Sequence, residues 1–191
     1  MPVVTPKIKF LINVLIGLLV LVILGWFLTH VIKPSQKESA LSRNEALSIL
    51  KTSAPFIVNP VLFDVADITS DYDRKFFQKN FDKHTFFLLK MDLDQNGKED
   101  YVISGKLPQE KTTFVYIAEK TDKGFEPKYF RKLFLEKGYF MLYVFEDQGQ
   151  KRLVIGLTAG TDDVLTVNHE GGRYYLNYSG DETKFYSEAF Q

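Results

Sequence analysis

Met91-Asp92-Leu93-Asp94-Gln95-Asn96-Gly97-Lys98-Glu99-Asp100-Tyr101-Val102-Ile103-Ser104-Gly105 is an acidic loop that runs straight into an apolar segment. Phe86-Phe87-Leu88-Leu89 lies just ahead of it. Short apolar runs bounded by turn-forming residues read as strands, so the loop is expected to join two neighbouring strands. Asp92, Asp94, Asn96 and Asp100 fall at positions 1, 3, 5 and 9 of a D-x-[DN]-x-[DN]-G loop, with Gly97 at position 6, where a sharp turn requires φ > 0. Lys98, at position 7, would contribute only its backbone carbonyl. Alternate residues of such a loop turn inward on a hard cation, and calcium takes about 6–8 oxygens, some of them from water. The competing reading is a hairpin without metal, because Asn96-Gly97 between two apolar runs is a hairpin signal by itself.

An EF-hand does not fit. Position 12 is Ile103 rather than a bidentate glutamate, and strands rather than helices flank the loop. The stretch instead resembles the calcium loop of FG-GAP or VCBS-type β-propeller repeats, in which D-x-D-x-[DN]-G-x-x-D enters an apolar strand directly. That resemblance implies calcium as a structural cofactor held by Asp92, Asp94, Asn96, Lys98 and Asp100, and blade-like antiparallel strands around it.

A second, degenerate copy emerges when residues 86–105 are laid over 138–157 at an offset of 52. Phe86-Phe87-Leu88-Leu89 meets Gly138-Tyr139-Phe140-Met141, Gly97 meets Gly149, and Val102-Ile103 meets Val154-Ile155. Its loop positions carry Val144, Glu146, Gln148 and Arg152, so the second loop is expected to be a turn without metal. Repeats are therefore placed near 86–135 and 138–179. Two such units cannot close a propeller, which needs about four blades. They are expected to form a small sheet or sandwich covered by helices, or to pair their edges with another subunit.

Around these repeats the periodicity predicts strands near 85–92, 99–106, 112–119, 125–134, 138–146, 151–158, 163–169, 172–179 and 183–190, with Lys128 to Leu135 open to a helical turn instead. Asp122-Lys123-Gly124, Asp147-Gln148-Gly149 and Glu170-Gly171-Gly172 supply turns. Upstream, Ser42-x-x-Glu45 forms a capping box with Leu41 stapled onto Ala46, opening a helix to Ser53 whose apolar face is Ala46, Leu47, Leu50 and Ala54. The segment 54–67 can hold one edge strand. Ser70-Asp71 caps a second short helix through Phe81, with Phe77 and Phe81 at i, i+4. The fold class expected for residues 42–191 is α+β, mostly β.

The amino-terminal part is different in kind. After a basic tail, 1–9, Phe10 to Ile32 runs for 23 residues without a charge, about 35 Å as a helix, which is enough to span a membrane. It is longer than a signal-peptide core and ends in His30-Val31-Ile32-Lys33-Pro34 rather than a small-residue cleavage site, so an uncleaved single-pass anchor is expected. Asn13, Gly17 and Gly25 offer a notch for packing against another membrane helix, or are incidental. Flanking lysines are nearly balanced. The short basic tail favours a carboxy-terminal domain outside the cytoplasm. Residues 33–41 read as a polar linker.

The 191 residues carry 24 basic and 24 acidic side chains and no cysteine. Three of the basic ones, Lys7, Lys9 and Lys33, precede residue 34 and no acid does, leaving 21 against 24 beyond it. A weakly acidic domain gives nucleic acid no basic face. Disulfides, thiol catalysis and cysteine–zinc sites are excluded. His30, His84 and His169 form no catalytic motif, and no P-loop or G-x-G-x-x-G occurs. A hydrolase would need paired carboxylates at Asp162 and Asp163 in a pocket. Tyr174 and Tyr178 are candidates for a sugar-binding face, with at most one of the adjacent Tyr174 and Tyr175 joining it. The expectation is a non-catalytic binding or assembly subunit at a cell membrane, partnered by other membrane-protein subunits, with a carbohydrate-binding sensor as the alternative and a small-molecule substrate disfavoured.

Overall fold

Ser42 starts the first helix by accepting the amide of Glu45 on its hydroxyl, and α1 then runs over Arg43–Ser53. Glu45 does not complete a capping box but reaches Lys90. Ala46, Ile49, Leu50 and Ala54 are buried, while Leu47 is 44% exposed, so the buried stripe is rotated from the one expected. Tyr116 donates its hydroxyl to Ser53, and the Arg43 guanidinium donates to the carbonyls of Leu62 and Phe63, holding both ends of α1 in place. This is a computed structural model that describes residues 39–147, 150–157, 163–178 and 181–189. The tail 1–9 and the apolar segment from Phe10 to Ile32, with Asn13, Gly17 and Gly25, lie outside the described residues. Among the described residues no helix is long and apolar enough to cross a membrane.

The strands fall close to their expected places. They are β1 (Ser39–Ala40), β2 (Val61–Leu62), β3 (Thr85–Phe86), β4 (Leu88–Met91), β5 (Asp100–Leu107), β6 (Thr112–Thr121), β7 (Gly124–Leu133), β8 (Met141–Asp147), β9 (Gln150–Gly156), β10 (Val164–Glu170), β11 (Arg173–Tyr178) and β12 (Phe185–Tyr186). They form two antiparallel sheets, one in the order β1-β4-β5-β6-β7 with β2 also on β5, the other β12-β11-β10-β9-β8-β3. Each contains a four-stranded meander, β4 to β7 and β8 to β11. The region Lys128 to Leu135 is therefore mostly strand, not a helical turn.

Three departures from the expected pattern matter. Ser39 and Ala40 pair with Lys90 and Leu89, so the linker ends in a strand and the folded domain begins before residue 42. The single strand expected over 85–92 is two, because the chain changes sheets at Phe87: β3 pairs with β8 and β4 with β5. The strand expected over 183–190 shrinks to Phe185–Tyr186. Beyond it, the chain continues along β7, Glu188 donating its amide to the Phe130 carbonyl and Ser187 accepting the Phe130 amide. Part of the β7 edge, otherwise a row of unpaired backbone groups, is thereby covered from within the chain.

The second helix, α2, spans Asp71–His84, three residues past the expected end, with Ser70 accepting the Asp73 amide. Phe77 is fully buried and stacks on Phe87 at 4.7 Å, whereas Phe81 is 40% exposed. Asp73, buried beside them, accepts the Tyr139 hydroxyl at 2.7 Å and the Lys137 ammonium at 3.1 Å. Residues of both helices and both sheets belong to one hydrophobic core.

Candidate metal centre

The β4–β5 ladder closes with Met91 opposite Asp100, which leaves an eight-residue connection, 92–99, rather than a two-residue turn. Positive φ falls at Gln95 (60°) and Gly97 (86°), on either side of Asn96. A type I′ Asn-Gly turn would need it at both of its central residues, so β4 and β5 form a hairpin, but not one closed by a two-residue Asn96-Gly97 turn. What shapes the loop is its own acids. Asp92 accepts the amides of Asn96 (3.0 Å) and Gly97 (2.9 Å), and Asp94 accepts the Asn96 amide (3.2 Å).

Carboxylate oxygens of Asp92, Asp94 and Asp100 all lie within 4.8 Å of one another. Asp92 and Asp94 are half-buried. Asp100, the first residue of β5, is 1% exposed. Its Oδ2 accepts the Leu93 amide (2.8 Å) and the Tyr174 hydroxyl (2.9 Å), while its buried Oδ1 has no hydrogen-bond partner among the described residues. Burial, only partly offset by those two hydrogen bonds and reinforced by the charges of Asp94 and Glu119, pushes the Asp100 carboxyl up to about 7. A nearby divalent cation would act in the opposite sense. A fully buried carboxylate with one orphaned oxygen, placed within ligand spacing of two more carboxylates, fits a hard cation with oxygen ligands.

The remaining loop residues are placed unequally. Lys98 extends its ammonium to Glu119 at 2.9 Å, leaving its backbone carbonyl as the part that position 7 requires. Asn96 turns its amide nitrogen, not its oxygen, toward Asp94 (3.0 Å) and Glu119 (2.6 Å). To serve as a ligand this amide must turn over. Ile103 is buried in β5, so position 12 gives the site nothing.

Glu119 is invisible to the loop pattern, because it lies on β6, directly across the ladder from Asp100. It is buried, which would raise its pKa, but Lys98, Asn96 and Lys128 outweigh this and hold it below the usual carboxylate range. Lys128 can reach it because β7 bulges there: Ile117 pairs with Tyr129 and Ala118 with Pro127, skipping Lys128. The one sequence signal is Pro127, a residue that sheets tolerate at edges and bulges.

Tyr174 is not a surface platform. It is 4% exposed, and burial together with Asp100 and Asp94 raises its pKa. Its ring lies 4.9 Å from that of His169, its cross-strand neighbour, and His169 Nε2 is 3.8 Å from Asp94. Tyr178 is 42% exposed and packs edge-on against Phe185. A cavity of about 260 Å³ opens where the loop meets the second sheet, lined by Asp94, Gln95, Arg152, Asn168 and His169 among others. At the positions offset by 52 residues, Arg152 sits on β9 and Val144 is in the core, and no acidic cluster like the first occurs there among the described residues. Asp162 lies outside the described residues, and Asp163 is exposed.

No protein-family model, curated protein or solved structure matches this chain. The likeness to FG-GAP and VCBS loops rests on the residues of the loop alone.

Proposed function

We propose that this chain is a non-catalytic, membrane-tethered binding or assembly subunit whose β-rich domain is braced by calcium at Asp92, Asp94 and Asp100. The fully buried Oδ1 of Asp100, unpartnered among the described residues, carries the cation part of the reading, since an uncompensated buried carboxylate is costly and a cation would compensate it. Asp92 and Asp94 would complete the carboxylate set, with the Lys98 carbonyl, a turned Asn96 amide and water filling the remaining positions. Calcium would supply structural charge, not chemistry.

The two meanders then serve as blade-like units of an FG-GAP or VCBS kind, presented outside the cytoplasm by the anchor at 10–32. Phe134, Tyr72, Val58 and Phe145 are large apolar side chains exposed by 80%, 63%, 61% and 58%, and supply surface for a partner. Asn13, Gly17 and Gly25 would pack against a partner's membrane helix. The test is to extract the carboxy-terminally tagged full chain in mild detergent with calcium and weigh what comes with it. A stoichiometric membrane-protein partner is expected. A lone monomer would remove the assembly role and leave ligand binding by the domain itself.

A further inference from the structure

We infer that Tyr174 is the positioning residue of the cation site and that, through it, cation binding in the first sheet is transmitted to the second. The inference rests on the calcium reading proposed above. Asp100 belongs to β5 of one sheet and Tyr174 to β11 of the other, and a single carboxylate oxygen, Oδ2, receives both the Tyr174 hydroxyl and the loop amide of Leu93. Oδ2 is occupied by the Tyr174 hydroxyl and the Leu93 amide, which fixes the plane of the carboxylate and leaves Oδ1 for the cation. Without the hydroxyl, one hydrogen bond from the adjacent loop would remain to orient a fully buried charge.

A second contact runs in parallel. His169 on β10 pairs across the ladder with Tyr174, lies against its ring at a tilt of 51° and approaches Asp94, another of the three carboxylates. Two neighbouring strands of the second sheet thus touch two of the three acids in a loop of the first. A cation that draws these acids together pulls on both contacts. Its binding energy becomes a coupling between sheets that also meet through apolar packing and, at the far edge, through the bonds of Tyr129 and Arg131 on β7 to the carbonyls of Phe185 and Tyr186 on β12.

The experiment is hydrogen exchange of the full-length chain, with calcium chloride and with chelator, beside calorimetric titration with calcium. In the wild type, calcium is expected to slow exchange both in 92–107 and in β10–β11, 164–178. Tyr174→Phe keeps the ring and the packing and removes only the hydroxyl. It is expected to bind calcium about tenfold more weakly, with protection at 92–107 at saturating calcium but little at 164–178. His169→Ala is expected to weaken the β10 response while leaving that of 92–107. Heat of binding with protection confined to 92–107 in the wild type would overturn the coupling alone, as would a Tyr174→Phe variant indistinguishable from wild type. No heat of binding in the wild type would overturn the calcium reading and the coupling together.

Discussion

The Tyr174 hydroxyl and the Asp100 carboxylate meet at 2.9 Å across the junction of the two sheets, and this hydrogen bond uses the oxygen of Asp100 that the loop amide of Leu93 also uses. The other oxygen is buried and unpartnered among the described residues. That division sets how the site should respond to protons and to metal.

The first consequence is a pH dependence with a definite sign. Asp100 moves from an ordinary 3.8 to about 7 because of burial, so in the fold it keeps its proton to higher pH than in the unfolded chain. Below about pH 4 both states are protonated and there is no penalty. Between about pH 4 and 7 the folded state binds more protons, and stability falls as pH rises, by roughly 4 kcal/mol at the full span. In chelator, the wild type is expected to lose melting temperature from about pH 5 to 7.5, while Asp100→Asn loses much less. Melting curves that shift in parallel would show that this carboxylate is not strained.

Two glycines should respond in opposite ways. Gly97 needs its φ of 86° but has open space where a Cβ would go, so Gly97→Ala should cost about 1–2 kcal/mol of backbone strain and weaken calcium binding. A Cβ on Gly105 would stand 2.5 Å from the Val61 carbonyl and 2.9 Å from Phe114. Gly105→Ala must therefore displace β2, at or above the roughly 1–3 kcal/mol of ordinary overpacking, with calcium affinity little changed. Denaturant melts and calcium titrations of the two variants separate these effects.

The i, i+4 pair on α2 divides as sharply. Phe77 is fully buried between α2 and Phe87, so Phe77→Ala should cost about 3–5 kcal/mol. Phe81, tilted against it but open to solvent, should cost less than about 1.5 kcal/mol on the same change. Equal losses in urea melts would mean that α2 docks by a different face.

The strands were legible because each is an apolar run ended by a turn former whose backbone demands are local: Gly171 and Gly172 both take positive φ and close the β10–β11 hairpin. The switch of sheets at Phe87 was not, since Phe86 to Leu89 is one unbroken apolar run and nothing in it says which neighbour each half will find. The helix stripe slipped because Ile49 and Leu47 are both apolar, and only docking decides which is buried. At the site, Asp92, Asp94 and Asp100 could be named from spacing alone. Glu119 and Tyr174 could not, because ladder pairing and sheet-to-sheet contact bring them there from positions remote in sequence.

Calcium itself supplies the last test. An affinity of about 10⁻⁴–10⁻³ M is ordinary for extracellular calcium modules. At about 10 mM calcium it would stabilise the fold by about 1.4–2.7 kcal/mol through mass action. For a domain of this size that corresponds to a rise in melting temperature of about 3–10 °C. Asp92→Ala and Asp94→Ala should each abolish the rise. The quantity to compare is the calcium-induced difference, because both acids also accept loop amides and their loss lowers the melting temperature even in chelator. Lys98→Ala serves as the control: it removes one of the three partners of Glu119 but leaves the backbone carbonyl, so the calcium-induced rise should persist. A wild type that melts at the same temperature with calcium and with chelator would remove calcium from this site.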